Sequence, residues 1–294
     1  MAAETVIQDA KAPAKGSRIL ARYLPLAGVV LAVSFPFYSF FLNASYEWIH
    51  NPSFSHGICI PFITAWLLYE RREKFSRLDI APSLAGLAPI IVGCVLHVMG
   101  TLSGILMVSG VGLMLTLLGA VALIWGPLFA KRAIAPISLL LWMVPWPSYM
   151  LGGFYLGLKH VATIVSATLL QQLGVTVYQD GNLLVLPQFV LEIRDACSGT
   201  RSVFAMIALA MVLAILMKAS LAWRVLLVSA APVMAVASNI VRIVGTAVAA
   251  QWFGPVAAKE TLHVVWGVVV FVLATGGLLL TKMVLQWASC RLGS

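Results

Sequence analysis

The sequence predicts an all-α polytopic membrane protein with about eight transmembrane helices and a small extracytoplasmic β-type flap. Of its 294 residues, 61% are hydrophobic and 10% are charged. The mean hydropathy is +0.99, far above that of an ordinary globular domain. Apolar runs recur down the chain, and a helical span needs about 20 such residues. The net charge of +9 lies in short clusters between these runs, which indicates membrane topology rather than nucleic-acid binding.

The apolar runs define a predicted membrane domain, residues 24–285, between a polar N-terminal tail, 1–23, and a short C-terminal tail, 286–294. The first 17 residues lack the apolar core of a signal peptide, so we expect the first span to remain as an anchor. The periodicity and length of the runs place the eight spans as follows. They are 24–42, 57–70, 84–100, 104–128, 133–150, 198–217, 225–247 and 263–282.

Basic residues set the predicted orientation. With these spans, all but five of the 19 lysines and arginines fall on one side, which the positive-inside rule makes cytoplasmic. That side holds Lys11, Lys15, Arg18, Arg22, Arg71, Arg72, Lys74, Arg77, Lys131, Arg132, Lys218, Arg224, Lys282 and Arg291. We therefore expect a multi-pass protein of the cytoplasmic (inner) membrane with both tails inside.

Two further segments are predicted on the outer side. Segment 154–173 is apolar but carries a lysine, a histidine and two glutamines. Counting it as a span would break the charge pattern, so we expect a helix lying in the outer interface. Segment 177–196 carries the hairpin turn signal Asp180-Gly181 between runs of β-type pattern. We expect it to form a β flap or lid that leads into Cys197.

Cys197 immediately precedes the sixth apolar run, beside several groups that would activate a thiol. If a helix begins near Ser198, its dipole and free N–H groups stabilise a thiolate. Arg201 lies one turn further on the same helical face, and Gly199 leaves room for the backbone of a substrate. These features indicate a nucleophile for covalent catalysis.

Two more polar residues lie at the same predicted boundary. Arg242 is five residues from the end of its predicted span, with Asn239 three residues earlier on the same face. An arginine within a span is costly, and it suits a clamp for a carboxylate or for the oxyanion of a tetrahedral intermediate. His263 opens the last span and can act as acid or base near neutral pH. Which of the two moves a proton stays open at this point.

Several kinds of site are not predicted. The four cysteines show no C-x-x-C spacing and no nearby histidine pairs, so we expect no metal, no cofactor and no disulfide framework. The interiors of the predicted spans carry no Asp or Glu, which argues against a proton-coupled carrier. No Gly-x-Ser-x-Gly, His-Glu-x-x-His or P-loop motif occurs.

The outer-facing residues together resemble the exosortase/archaeosortase family of multi-span cysteine transpeptidases. The stretch 195–201, Asp-Ala-Cys-Ser-Gly-Thr-Arg, is similar to that family's A-C-S-G-x-R nucleophile motif, with Thr200 where leucine is usual. Asn239-Ile-Val-Arg242 resembles its N-x-x-R motif. His263, followed by Trp266-Gly267, resembles its histidine motif. A pre-cysteine strand region and Ser55-His56-Gly57 with the later Arg71-Arg72 pair extend the likeness over roughly 45–285.

The resemblance implies a site and a substrate class. Cys197 would be the nucleophile, Arg242 and His263 would complete the catalytic group, and Arg201, Asn239 and Ser198 would support it. The substrates would be exported proteins with a C-terminal sorting tail, made of a short motif (often Pro-Glu-Pro), one transmembrane helix and a basic cluster. The enzyme would cleave near the motif on the outer side and pass the chain to an acceptor.

Two other classes of function stay open from the sequence. A membrane acyltransferase could use Cys197 on lipid rather than on a peptide, and the residues barely separate this reading from a transpeptidase. A small-molecule transporter would need charged or broken-helix sites within the membrane, and Arg242 and the Gly/Pro breaks are the only features of that kind. The partners we expect are sorting-signal proteins and membrane lipid, with no nucleic acid.

Overall fold

The computed structural model describes residues 28, 31–187, 189–193, 200–254 and 260–291, with the main chain alone at residues 148, 200, 253 and 260–264. Most of these residues are helical, and the chain is a multi-pass all-α membrane protein that also carries one small sheet. The helices are α1 Tyr38–His50, α2 Ile60–Glu70, α3 Arg72–Ser76, α4 Leu87–Ser103, α5 Leu106–Ile124, α6 Pro127–Ser138, α7 Ser148–Gln172, α8 Thr200–Leu216, α9 Leu221–Phe253 and α10 Glu260–Arg291.

Among the described residues, five helices are long and apolar enough to cross a membrane. They are Leu84–Ser103, Leu106–Ile124, Tyr149–Gln172, Leu221–Trp252 and Val265–Arg291. Ile60–Glu70 and Arg201–Leu216 are shorter apolar helices. The predicted count of eight spans is therefore not confirmed, and two of the predicted spans are interrupted.

The predicted first span, 24–42, is interrupted. Residues 35–37 form a turn, and α1 then runs to His50, so the first part of the predicted outer loop 43–56 is helical. Pro36 accounts for the break because proline has no N–H to donate within a helix. The imidazole of His97 on α4 donates a 2.9 Å hydrogen bond to the Pro36 carbonyl, which fixes this turn against α4.

Helices α4 and α5 form an antiparallel pair with very close backbones. A Cβ added at Gly119 would lie 2.7 Å from the Gly86 carbonyl oxygen, and one added at Gly112 would lie 3.0 Å from the His97 nitrogen. Lipid tails are as apolar as leucine, so membrane helices associate through close van der Waals packing, which small residues permit. Gly104, with φ 69°, supplies the left-handed turn between the two helices.

The predicted span 133–150 is not one helix. α6 ends at Ser138, a 3-10 turn covers Leu139–Met143, and α7 begins at Ser148. Prolines at 145 and 147 explain the interruption. A residue before proline is driven out of the helical region, and Val144 is extended, with ψ 128°. The indole N–H of Trp48 donates a 2.7 Å hydrogen bond to the Met143 carbonyl, which anchors this segment to α1.

The segment predicted as an interfacial helix, 154–173, belongs to α7, which has the length and composition of a span. Two of its polar residues, Thr163 and Ser166, are fully buried against the protein, while His160, Gln171 and Gln172 are exposed. The position of this segment in the outer interface stays a prediction, because length and composition alone do not separate a span from an interfacial helix.

A three-stranded antiparallel sheet follows α7, in the order β1 (Tyr178–Asp180), β2 (Leu183–Val185) and β3 (Val190–Glu192). Asp180 pairs with Leu183 across a two-residue turn in which Gly181 has φ 57°, as such turns require. Leu184 and Leu186 share a buried core with α7 and α9. The position of this sheet outside the membrane and its role as a lid stay predictions.

Helices α8, α9 and α10 pack together through a core that includes Val203, Ala231, Ala235 and Leu278. α9 is 33 residues long, and its extension beyond the predicted span 225–247 changes the setting of Arg242. Arg242 lies 11 residues before the end of α9, so it is well inside the helix rather than near its tip.

Candidate active site

The start of α8 lies beside the Asn239 turn of α9. The two helices are antiparallel and are joined by residues 217–220, and α8 has 17 residues. Both helices rise about 1.5 Å per residue, so the same length counted along α9 ends at Ala237. Burial of Val203 and Ala235 in one core agrees with this register.

Asn239 and Arg242 form a hydrogen-bonded pair on one face of α9. Nη2 of Arg242 donates to Oδ1 of Asn239 over 2.7 Å. Asn239 is 3% exposed, and Arg242 is half-buried. A buried charge needs a hydrogen-bonding partner, and the amide oxygen of Asn239 is one such partner. The bond holds the guanidinium at a defined place on an apolar helix.

Helices α9 and α10 are in contact at the level of Arg242. A Cβ added at Gly267 would make ordinary van der Waals contact with Arg242, 3.4 Å from Nη1 and 3.6 Å from Cδ, so the guanidinium lies over this position of α10. One residue earlier, the Trp266 ring packs on Gly245, where an added Cβ would lie 2.7 Å from Nε1 of the indole. These contacts hold the guanidinium between the two helices.

His263 lies on the same face of α10 as Gly267, one turn earlier. Four residues separate the two positions, which places them one above the other on a helix, about 6 Å apart along its axis. His263 is in the first turns of α10, which begins at Glu260. The main chain thus brings His263 to within one helical turn of the residue that contacts Arg242.

Of the remaining predicted site residues, the structure describes Arg201 but not Cys197 or Ser198. Cys197 and Ser198 lie outside the described residues. Arg201 is in the first turn of α8 and is exposed. The structure therefore places Asn239, Arg242 and the main chain of His263 together, with Arg201 on the helix that begins beside them. The grouping of these residues with Cys197 stays a prediction.

The sheet reaches the same region of α9. Ile193, the last described residue before the cysteine-bearing segment, is 2% exposed. It shares a buried core with Ile240 and Ile243, which flank Arg242 on α9. The chain on each side of the undescribed segment 194–199 is thus packed close to the Asn239–Arg242 turn.

His56, in the Ser55-His56-Gly57 stretch that shares the family resemblance, joins the turn after α1 to the segment before α7. Its Nε2 donates a 3.1 Å hydrogen bond to the Trp142 carbonyl. Burial lowers the pKa of its imidazole despite this bond, so His56 is neutral at pH 7. Phe54, next to this turn, packs against Phe204 in the second turn of α8, with the ring centroids 5.6 Å apart. The turn that contains Phe54 and His56 thus packs against α8, the helix that follows Cys197.

Gly245 has no role predicted from the sequence, and Trp266-Gly267 is predicted only as the part of the histidine motif that follows His263. Glycine inside a long apolar helix usually marks a close backbone contact, and this signal was present at both glycines. Among the described residues, no group of three His, Cys, Asp or Glu side chains could hold a metal ion.

A family model described as transmembrane exosortase matches residues 48–280. This range covers most of the chain and contains every predicted site residue. No curated protein and no solved structure matches the chain significantly. The family match confirms the resemblance seen in the motifs. The chain belongs to the transmembrane exosortase family.

Proposed function

We propose that this protein is a membrane cysteine transpeptidase that cleaves the C-terminal sorting tail of exported proteins. Its membership of the exosortase family supports a transpeptidase-type role in the membrane. The observation that carries the proposal further is the Asn239–Arg242 pair, held against Gly267 of α10, one turn from His263. A fixed cation, a histidine and a helix start beside them are the parts that acyl transfer from a thiolate needs.

Cys197 is the nucleophile in this proposal. It lies three residues before Thr200 in the sequence, and a chain spans at most about 3.6 Å per residue, so its Cα is within about 11 Å of the start of α8. The N–H groups at that helix start and the nearby Arg201 would favour the thiolate.

The reaction proceeds in two acyl transfers. The Cys197 thiolate attacks the scissile carbonyl carbon, and Arg242 stabilises the oxyanion that forms. The C–N bond breaks, His263 gives a proton to the leaving amine, and a thioester joins Cys197 to the new C-terminus. An acceptor nucleophile then loses a proton to His263 and attacks the thioester, which releases the thiolate. The acceptor is water, an amine or a lipid group.

Tethering explains how a membrane site would select such substrates. A tail helix inserted in the same membrane presents its outer end near the Asn239–Arg242 turn, which raises the effective concentration of the scissile bond. We propose that the site faces the outer side of the cytoplasmic membrane, because the basic residues lie mainly at the other end of the helices.

Replacement of Cys197 tests the proposal. The protein is co-expressed with an exported reporter that carries a tail with Pro-Glu-Pro, a transmembrane helix and a basic cluster. Cys197→Ala and Cys197→Ser should both leave the reporter at full length, while Cys94→Ser, a change at a half-buried cysteine, should not alter its processing. Membrane levels of each variant are measured by immunoblot.

The same experiment separates the rival classes of function. A trapped thioester between Cys197 and the reporter polypeptide supports a transpeptidase, whereas a thioester to a fatty acyl group supports a lipid acyltransferase. Shortening of the reporter by Cys197→Ala at normal membrane levels would rule out catalysis by this thiol.

A further inference from the structure

A cavity of about 490 Å³ lies at the opposite end of the molecule, among α2, α3, α5 and α6. We name it the basal cavity. Its volume is within the roughly 300–1,000 Å³ of ligand sites, and it shares no residue with the proposed active site. Its walls are formed by Ala65, Leu68, Tyr69, Arg72, Glu73, Phe75, Ser76, Ile80, Val121, Trp125, Phe129, Ala133 and Ile137.

The basal cavity is polar at one end and apolar along its length. Arg72, Glu73 and Ser76 are exposed and belong to α3. Ala65 lies five residues before the end of α2 at Glu70, about 8 Å along the helix axis at 1.5 Å per residue. All the other wall residues are hydrophobic. This shape suits an amphiphile with a polar head at α3 and a hydrocarbon chain between the helices.

The polar end carries an excess of positive charge. Segments 70–79 and 131–132 contain six basic residues against the acidic Glu70, Glu73 and Asp79. Nη1 of Arg132 donates a 2.8 Å hydrogen bond to the Lys74 carbonyl, so the basic pair of α6 joins the cluster of α3. An anionic head group would be attracted to this end of the cavity.

Arg72 is held in place at the mouth. Its guanidinium lies 4.1 Å over the centroid of the Tyr69 ring, and Nη1 donates a 3.2 Å hydrogen bond to the Tyr69 carbonyl. Stacking of this kind fixes the planar fork, which recognises phosphate oxygens in a bidentate manner. Tyr69 is also a wall residue of the basal cavity, so the Arg72 guanidinium and the apolar walls belong to the same cavity.

We propose that the basal cavity binds an anionic phospholipid, with its phosphate at Arg72 and one acyl chain between α2, α5 and α6. Basic pockets between membrane helices at a polybasic end are suited to such head groups. Charge complementarity selects anionic over zwitterionic lipid, and the apolar walls select a chain rather than a free phosphate. Glu73 opposes the head group and should weaken its binding.

Mass spectrometry of the intact, delipidated protein titrated with lipid tests the head group. Phosphatidylglycerol should bind more tightly than phosphatidylcholine. Arg72→Gln should weaken phosphatidylglycerol about five-fold, Glu73→Gln should strengthen it, and Lys218→Gln, at an exposed lysine between α8 and α9, should leave it unchanged. Equal binding of the two lipids, or equal losses in Arg72→Gln and Lys218→Gln, would overturn the proposal.

Filling the basal cavity with a larger side chain tests the proposed position of the acyl chain. Ala65 is exposed, so Ala65→Phe places a ring in the cavity with little risk to folding, and it should reduce binding of both lipids at least ten-fold. Ala222→Phe, at an exposed alanine of α9, is the matched control and should bind as the parent does. Unchanged binding in Ala65→Phe, with the same elution volume on gel filtration, would show that the chain lies elsewhere.

Discussion

Arg242 shows at the scale of one residue how a membrane helix keeps a permanent charge. Insertion scales give a cost of about 2.5–3.5 kcal/mol for an arginine at the centre of a span. The hydrogen bond to Asn239 and the position of Gly267 opposite Arg242 are two local features that hold the guanidinium in place.

We expect Arg242→Lys to lose about 10²–10³ in the rate of reporter cleavage, the usual cost of a missing oxyanion donor. An ammonium does not reproduce the planar fork that bonds Asn239 and faces α10 at once. Arg224→Lys, the same change on the same helix, is the control and should cleave normally. Near-normal cleavage by Arg242→Lys would show that only a charge is needed at this place.

His263 is the second residue whose role can be separated. An arginine stays protonated at all accessible pH values, so the proton transfers of the proposed reaction fall to the histidine. We expect cleavage to depend on an ionisation near neutral pH, and His263→Gln should remove both this dependence and most of the rate. His160→Gln, at an exposed histidine of α7, should keep the parent pH profile. If His263→Gln keeps it as well, another group carries the proton.

At the scale of elements, close contact between helices depends on glycine. Gly119 of α5 packs on the Gly86 carbonyl just before α4, and Gly245 of α9 leaves room for the Trp266 ring of α10. The first contact joins two helices of the N-terminal half, and the second lies beside Arg242. The spacing of apolar residues does not distinguish these glycines from lipid-facing positions, because both faces of a membrane helix are apolar.

Gly119→Ala should therefore destabilise the protein. The new Cβ would meet the Gly86 carbonyl oxygen at 2.7 Å and the Ile90 nitrogen at 2.9 Å, and overpacking typically costs about 1–3 kcal/mol. Gly157→Ala is the matched control, because a Cβ there has no described neighbour within 4 Å and alanine favours the helix. Thermal unfolding in detergent measures both. Equal stability of the two variants would contradict the close packing of α4 and α5.

At the scale of the whole molecule, basic residues from separate helices lie together at one end. Nη2 of Arg71 donates a 2.6 Å hydrogen bond to the Ile215 carbonyl, and Arg224 bonds the nearby Ala219 carbonyl over 3.0 Å. This end thus joins the C-terminal side of α2 to the α8–α9 turn. At 33 residues, α9 is about 50 Å long, longer than the roughly 30 Å hydrocarbon layer, and the sheet packs near its other end.

Thiol labelling tests the predicted orientation. Cys290 is exposed on the last turn of α10, beside Arg291 at the predicted cytoplasmic end. In a variant that keeps only this cysteine, an impermeant maleimide should react after permeabilisation and not in intact cells. A second variant that keeps only Cys197 should react from outside. Labelling of Cys290 in intact cells would reverse the orientation and with it the proposed location of the site.

The sequence by itself determined the class of protein and its family. Composition and apolar runs indicate a multi-pass membrane protein, because burial in lipid demands about 20 apolar residues per helix whatever the fold. Motifs around Cys197, Arg242 and His263 identified the exosortase family, because the chemistry restricts which residue types can occupy those positions. The Asp180-Gly181 signal marked the hairpin, because a two-residue turn needs positive φ.

Tertiary structure alone decided which apolar segments are whole helices and which residues meet. The predicted span 133–150 is broken because prolines 145 and 147 interrupt it, whereas α7 runs unbroken from Ser148 to Gln172. The contact of Arg242 with Gly267 joins helices whose residues are 25 apart in sequence. In an apolar chain, hydropathy does not separate a lipid-facing surface from a packed one, because both exclude water. Only the fit of backbone against backbone distinguishes them.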